Sequence, residues 1–134
     1  GNYSATKHVE CLHQEADQGD SLSQFLLASF YFGGRGIPQN YAEASKWYLR
    51  AANQGNMGAQ FVLGGMYAKG QGVPRDLVRA HMWFNLAAAQ DLPDASELRD
   101  KASELRHKVE GQMTAAQIAE AQKLASEFKP KPER

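Results

Sequence analysis

Residues 55–90 read GNMGAQFVLGGMYAKGQGVPRDLVRAHMWFNLAAAQ, and residues 19–54 read GDSLSQFLLASFYFGGRGIPQNYAEASKWYLRAANQ. Laid over each other without a gap, the two 36-residue stretches are identical at 13 pairs. These are Gly19/Gly55, Gln24/Gln60, Phe25/Phe61, Leu27/Leu63, Tyr31/Tyr67, Gly34/Gly70, Gly36/Gly72, Pro38/Pro74, Ala44/Ala80, Trp47/Trp83, Ala51/Ala87, Ala52/Ala88 and Gln54/Gln90. The shared residues are chiefly glycines, alanines and aromatics, which set backbone geometry and packing. None is a Ser, Cys, Asp, Glu, His, Lys or Arg, so the repeat carries no nucleophile, base or ligand. A period between about 20 and 50 residues is that of stacked supersecondary units.

Each unit reads as helix, loop, helix. Phe25, Leu27, Ala28 and Tyr31 share one side of a helix over about 21–33 by helical spacing. Gly34-Arg35-Gly36-Ile37-Pro38 breaks it, because the glycines admit positive φ and the proline stops the helix from continuing. Asn40, with Asp76 one repeat later, is the N-cap of the next helix. That helix, over about 40–54, carries Ala44, Trp47, Tyr48, Ala51 and Ala52, and Gly55 closes it. Helices over about 57–69 and 76–89 repeat the scheme.

Working outward, both ends are degenerate, as terminal repeats tend to be. Counting back one period puts Cys11, Leu12 and Ala16 in the slots of Trp47, Tyr48 and Ala52, so 4–18 forms a capping helix and Cys11 a buried thiol. Beyond repeats 19–54 and 55–90, residues 91–128 form a degenerate helical hairpin. Pro93 opens its first helix and Gly111 closes it. Thr114 with Gln117 makes a capping box, and Met113 with Ile118 has the spacing of a hydrophobic staple. Residues 129–134, Lys-Pro-Lys-Pro-Glu-Arg, form a mobile tail. The expectation is one all-α domain over 1–134, with seven helices and no strand.

The totals exclude several classes of function. Fifteen basic and fifteen acidic residues cancel, which argues against nucleic acid or an anionic membrane as partner. No apolar run approaches the roughly 20 residues of a membrane span, so no membrane insertion is expected. Gly1-Asn2-Tyr3-Ser4 has no basic-then-apolar signal pattern. Cys11 is the one cysteine, so no intrachain disulfide can form.

These residues closely resemble the Sel1-like repeat family, an α-solenoid relative of the tetratricopeptide repeats. The family pattern is an A-helix ending in L-G-x-M-Y, a glycine loop x-x-G-x-G-V, an acidic or amide residue, and a B-helix with A-x-x-W-[YF]-x-x-A-A-x-x-G. The second unit matches at Leu63, Gly64, Met66, Tyr67, Gly70, Gly72, Val73, Asp76, Ala80, Trp83, Phe84, Ala87 and Ala88. The first departs at Ala28 and Phe30, and Asp91 replaces the glycine closing the second B-helix. Residues 113–122 also resemble the C-terminal ending of many bacterial members. Plain tetratricopeptide repeats, with a period of about 34 residues, leave no room for the longer glycine loop.

The resemblance implies an α-solenoid with a right-handed superhelix and a non-catalytic adaptor or scaffold that binds a protein or peptide. It also implies a bacterial origin, with an envelope or periplasmic home favoured over the cytosol. Some cysteine-rich relatives are associated with β-lactam binding or hydrolysis. They carry a cysteine pair in each repeat, which this chain lacks. Self-association through the stack ends is a third reading.

No constellation of residues supports catalysis, a cofactor or a metal. His8-Val9-Glu10-Cys11-Leu12-His13 gathers ligand types, but His13 leaves the face shared by His8 and Cys11, and no second cluster follows. Gly33-Gly34-Arg35-Gly36 follows a helix and lacks a phosphate-loop lysine. His81 has no acid at helical spacing and reads as a solvated or packing residue; the alternating charges over 97–108 read as a solvated helix face. A binding module needs only a surface, and in a two-helix solenoid the first helices line the concave side. Their stripe is Leu22, Leu26, Ser29 and Gly33, then Gly58, Val62, Gly65 and Lys69, with Phe32 at the rim. The candidate partner-binding residues are therefore Leu22, Leu26, Ser29, Phe32, Val62, Gly65 and Lys69. Small residues at Ser29, Gly58 and Gly65 are expected to leave space for a peptide or a helix.

Overall fold

The residues that stop and restart the helices decide the architecture. The computed structural model describes residues 2–134, with side chains from residue 6 onward, and its regular structure is seven helices. They are α1 (Asn2–Asp17), α2 (Ser21–Gly33), α3 (Tyr41–Asn53), α4 (Met57–Lys69), α5 (Leu77–Ala88), α6 (Ser96–Glu110) and α7 (Ala115–Glu127). Each of the first five packs on the next, which makes an α-solenoid, and α7 returns to α5.

Both units bend in the same way. Gly34 and Gly70 take φ of 67° and 71° and donate their N–H groups to Phe30 and Met66 carbonyls, capping α2 and α4. The loops close through Asn40 N–H to Tyr31 O (2.8 Å) and Asp76 N–H to Tyr67 O (3.0 Å). The Asn40 and Asp76 side chains then accept from the N–H groups of Glu43 and Arg79, both at 3.0 Å. Such a cap contributes about 1 kcal/mol. Gly72 meets a second demand besides its φ of 75°: a Cβ there would lie 2.3 Å from the Tyr41 carbonyl oxygen. The second loop therefore rests directly on the start of α3.

The main core runs from Val9, Leu12 and Ala16 of α1 through Leu27, Trp47 and Leu63 to Trp83. Ala44, Ala51, Ala80 and Ala87 are fully buried and let helices approach, while Trp47 and Trp83 fill the spaces between them. The repeated glutamines staple the turns. Gln54 Nε2 donates to Gly19 O (2.9 Å) and Gln24 Oε1 (3.0 Å). Gln90 Nε2 donates to Gly55 O (2.7 Å) and Gln60 Oε1 (2.9 Å). Gln24 and Gln60 in turn donate to the carbonyls of Ala16 and Ala52. Gln24 and Gln60 are buried, and this ladder satisfies their amides.

Four local expectations change. Cys11 is exposed, because none of the described residues covers the slot that Trp47 and Trp83 fill farther along. Pro93 lies in a turn closed by Ala95 N–H to Leu92 O, and α6 begins only at Ser96. The Thr114–Gln117 capping box is present, but α6 and α7 pack chiefly on α5, α7 bringing Phe128 edge-on to Trp83 at 5.7 Å. Residues 129–134 are docked instead of trailing free, with Lys131 N–H bonded to Asn53 O and Glu133 paired with Arg50. Two prolines pre-extend this segment, so holding it costs less order than a free tail would imply.

Candidate functional site

The second unit opens where the first is filled. A cavity of about 560 Å³ lies between α2, α4 and α6, walled by Phe32, Phe61, Val62, Phe84 and Leu105, with Lys69 and Lys108 also on its lining. Gly65 lies on the same wall, and nothing is within 4 Å of where its Cβ would stand. Among the expected partner-binding residues, Phe32, Val62, Gly65 and Lys69 therefore converge on one cavity.

Leu22, Leu26 and Ser29 lie outside it. Leu22 and Leu26 are 59% and 38% exposed on α2. The Ser29 hydroxyl bonds to Phe25 O and to the Tyr48 hydroxyl, both at 3.0 Å. Burial pushes the Tyr48 hydroxyl above its ordinary pKa, with the Ser29 hydrogen bond opposing. Gly58 leaves no space either, since its Cβ would lie 2.8 Å from the Phe25 ring. Phe32 packs on Tyr41 and Tyr48, which fixes the near wall of the cavity.

The far wall comes from α6, a helix whose sequence read as a solvated face. Leu105, Lys108 and Val109 contribute to it, with Gln112 just past the helix end. The signal available in sequence was Leu98, Ala102, Leu105 and Val109 at helical spacing, which marks a buried stripe but not the groove along its edge. Beside this wall His81 is 1% exposed, and its Nε2 lies 2.8 Å from Glu110 Oε1. The acid that His81 lacked along its own helix is supplied by α6. The His81 hydrogen bond holds the Glu110 carboxyl below its ordinary value, against the opposing effect of burial and with a smaller lowering from the His107 hydrogen bond.

The other chemistry-bearing residues are dispersed into packing. His8 stands edge-on to Phe30 at 5.6 Å, and His13 stands edge-on to Trp47 at 5.1 Å and pairs with Asp17. Among the described residues no group of three or more His, Cys, Asp or Glu side chains is arranged to hold a metal ion, and no helix is long and apolar enough to cross a membrane.

Comparison with known proteins agrees with the fold. The Sel1 repeat family model matches residues 21–56 and 58–92, both copies of the 36-residue period. A crystal structure of c5321, a protective antigen of uropathogenic Escherichia coli strains displaying an SLR fold, superposes with a TM-score of 0.85 at 32% identity over 96% of the chain. A Sel1 repeat protein from Oxalobacter formigenes superposes with a TM-score of 0.60 at 38% identity over 67% of the chain. The chain spans 26% of the length of each of these structures. No sequence among curated proteins matches.

Proposed function

Because the chain belongs to the Sel1 repeat family, we propose that it is a non-catalytic protein-interaction module whose groove between α2, α4 and α6 receives an apolar side chain from a partner peptide or helix. The observation that carries this reading is the open space at Gly65 within an apolar cavity. Closed sites on solenoids are filled by their own side chains, whereas a wall of Phe32, Phe61, Val62, Phe84 and Leu105 around empty volume suits a guest residue. Lys69 and Lys108 favour a guest flanked by an acidic residue. Leu22 and Leu26 extend the apolar surface along α2 toward the first unit.

The test is selection of peptides from a displayed random library on the native chain, with calorimetry of the winners against Gly65→Leu. A leucine at 65 enters open space and fills the cavity without disturbing the core. Selected peptides should carry a large apolar residue next to Asp or Glu and bind Gly65→Leu at least tenfold more weakly. Peptides that bind both forms equally would place the interaction elsewhere and sink the groove reading.

A further inference from the structure

The docked segment 129–134 shows a second way in which this fold can hold a peptide. Pro130 lies against the turn at Gly55, where an added Cβ would meet it at 3.5 Å. Glu133 lies against the turn at Gly19, where the same addition would meet its Cβ at 2.8 Å. Gly19 and Gly55 are equivalent positions one repeat apart. Three residues of extended chain advance about 9 Å, at about 3.1 Å per residue. Helix layers are spaced by about 8–10 Å. The segment thus advances one repeat for every three residues, a register that follows from the two dimensions.

Its polar groups match the edge they lie on. The two prolines have no N–H to place, and the residue after each of them uses its own. Lys131 N–H donates to Asn53 O at 2.9 Å, and Glu133 N–H donates to Gln54 Oε1 at 3.1 Å. Glu133 Oε1 accepts from Gln24 Nε2 at 3.1 Å and Arg50 Nη2 at 2.6 Å, and Oε2 accepts from Arg50 Nε at 3.3 Å. Arg134 reaches Asp20 at 3.3 Å. Arg50 is itself held over the Trp47 ring at 4.8 Å, so its fork is pre-oriented. At the equivalent turn of the second unit Leu86 replaces Arg50, and an unfilled cavity beside Gln60, Gln90 and Pro130 has no cation to receive a carboxylate. The arginine therefore sets the register.

We propose that the turn edge formed by Gly19, Gln24, Arg50 and Gln54 is a peptide seat for an extended Pro-x-Pro-Glu segment. The chain's own residues 130–133 fill it in cis, and a partner segment of the same chemistry enters when they lift off. This seat is separate from the groove at Gly65 and stands or falls without it. The cis segment is present at an effective concentration of order millimolar, so it excludes weak competitors until it is displaced.

The experiment uses the full chain and a fluorescent peptide, acetyl-Lys-Pro-Lys-Pro-Glu-Arg-amide. Glu133→Arg, which puts a cation beside Arg50, should release the segment without touching the core. The peptide should bind this variant at least tenfold more tightly than the native chain by anisotropy. Adding Arg50→Leu, the residue that the second unit already tolerates at position 86, should abolish that gain. Equal binding to all three forms, or no binding to any, would overturn the proposal. Amide hydrogen exchange gives an independent readout. The Lys131 and Glu133 N–H groups should exchange at least tenfold more slowly in the native chain than in Glu133→Arg. Protection that appears only at concentrations where the chain self-associates would mean that a second copy fills the seat, and would overturn occupation in cis.

Discussion

The two repeats share one frame and present different surfaces. In the first, Tyr48 extends a hydroxyl to Ser29, Phe32 leans on Tyr41 and Tyr48, and Phe25 covers Gly58 of the next unit. In the second, Phe84 replaces Tyr48 and Gly65 replaces Ser29, so neither partner of that bond exists and a cavity opens beside them. The turn edges differ in the opposite sense, with Arg50 in the first unit and Leu86 in the second. Identical positions thus build the stack, and the variable positions on the same helices decide where its surface opens.

The frame is most severely tested at its tryptophans. Trp83→Ala and Trp47→Ala each remove a buried indole and should cost about 3–5 kcal/mol, enough to unfold a domain of ordinary stability. Thermal melting of the two variants should fall together. Trp47 is flanked by His13 and Arg50, whereas Trp83 is flanked by Phe128. A loss at one position alone would show that the flanking contacts, and not the shared slot, carry the stability.

A pair of adjacent glycines sharpens the difference between the units. Gly64 faces Phe84, and an added Cβ would lie 2.6 Å from its ring; at the equivalent positions the first unit has Ala28 and Tyr48. Gly64→Ala should therefore destabilise by about 1–3 kcal/mol through overpacking, less the small gain of replacing a helical glycine. Gly65→Ala meets nothing and should stabilise by about 0.4–1 kcal/mol. Chemical denaturation should move the two midpoints in opposite directions. If both fell, Gly65 would not border open space and the groove would be closed in solution.

Legibility in the sequence followed the same division. The period, the glycine bends, the Asn40 and Asp76 caps and the tryptophan slots could be read because each is local or recurs at 36 residues. Periodicity assigns Cys11 a core slot but not the neighbour that would cover it, and none of the described residues does so. Of the cavity-lining residues, Val62, Gly65 and Lys69 followed from helical spacing, and Phe32 from its place at the rim of that stripe. Ser29 did not behave as open surface because its partner, Tyr48, lies on another helix. The docking of Glu133 on Arg50 joins positions 83 apart with no periodic signal, and the far wall on α6 lies outside the repeat altogether.

The smallest expected effect concerns the seam where the repeat gives way to α6. At equivalent positions the first unit has Ser45, bonded to Ala42 O and, at 3.4 Å, to Gly72 O, and the second has His81 bonded to Glu110. One seam is neutral and the other holds a titratable acid. The Glu110 carboxyl is depressed below its ordinary 4.5, first by the His81 hydrogen bond. A group whose folded pKa is lowered stabilises fully above its unfolded value and loses that contribution as pH falls through the folded one. The His81–Glu110 seam should therefore weaken only below about pH 4.5. Asp20 and Glu133 are also depressed and contribute to the same acid slope, so the isolating comparison is between variants. Glu110→Gln should shrink the drop in melting temperature between pH 7 and pH 3, whereas Ser45→Ala should leave that drop unchanged. An acid slope identical in the native chain and Glu110→Gln would show that the α5–α6 seam is as pH-neutral as the one between the repeats.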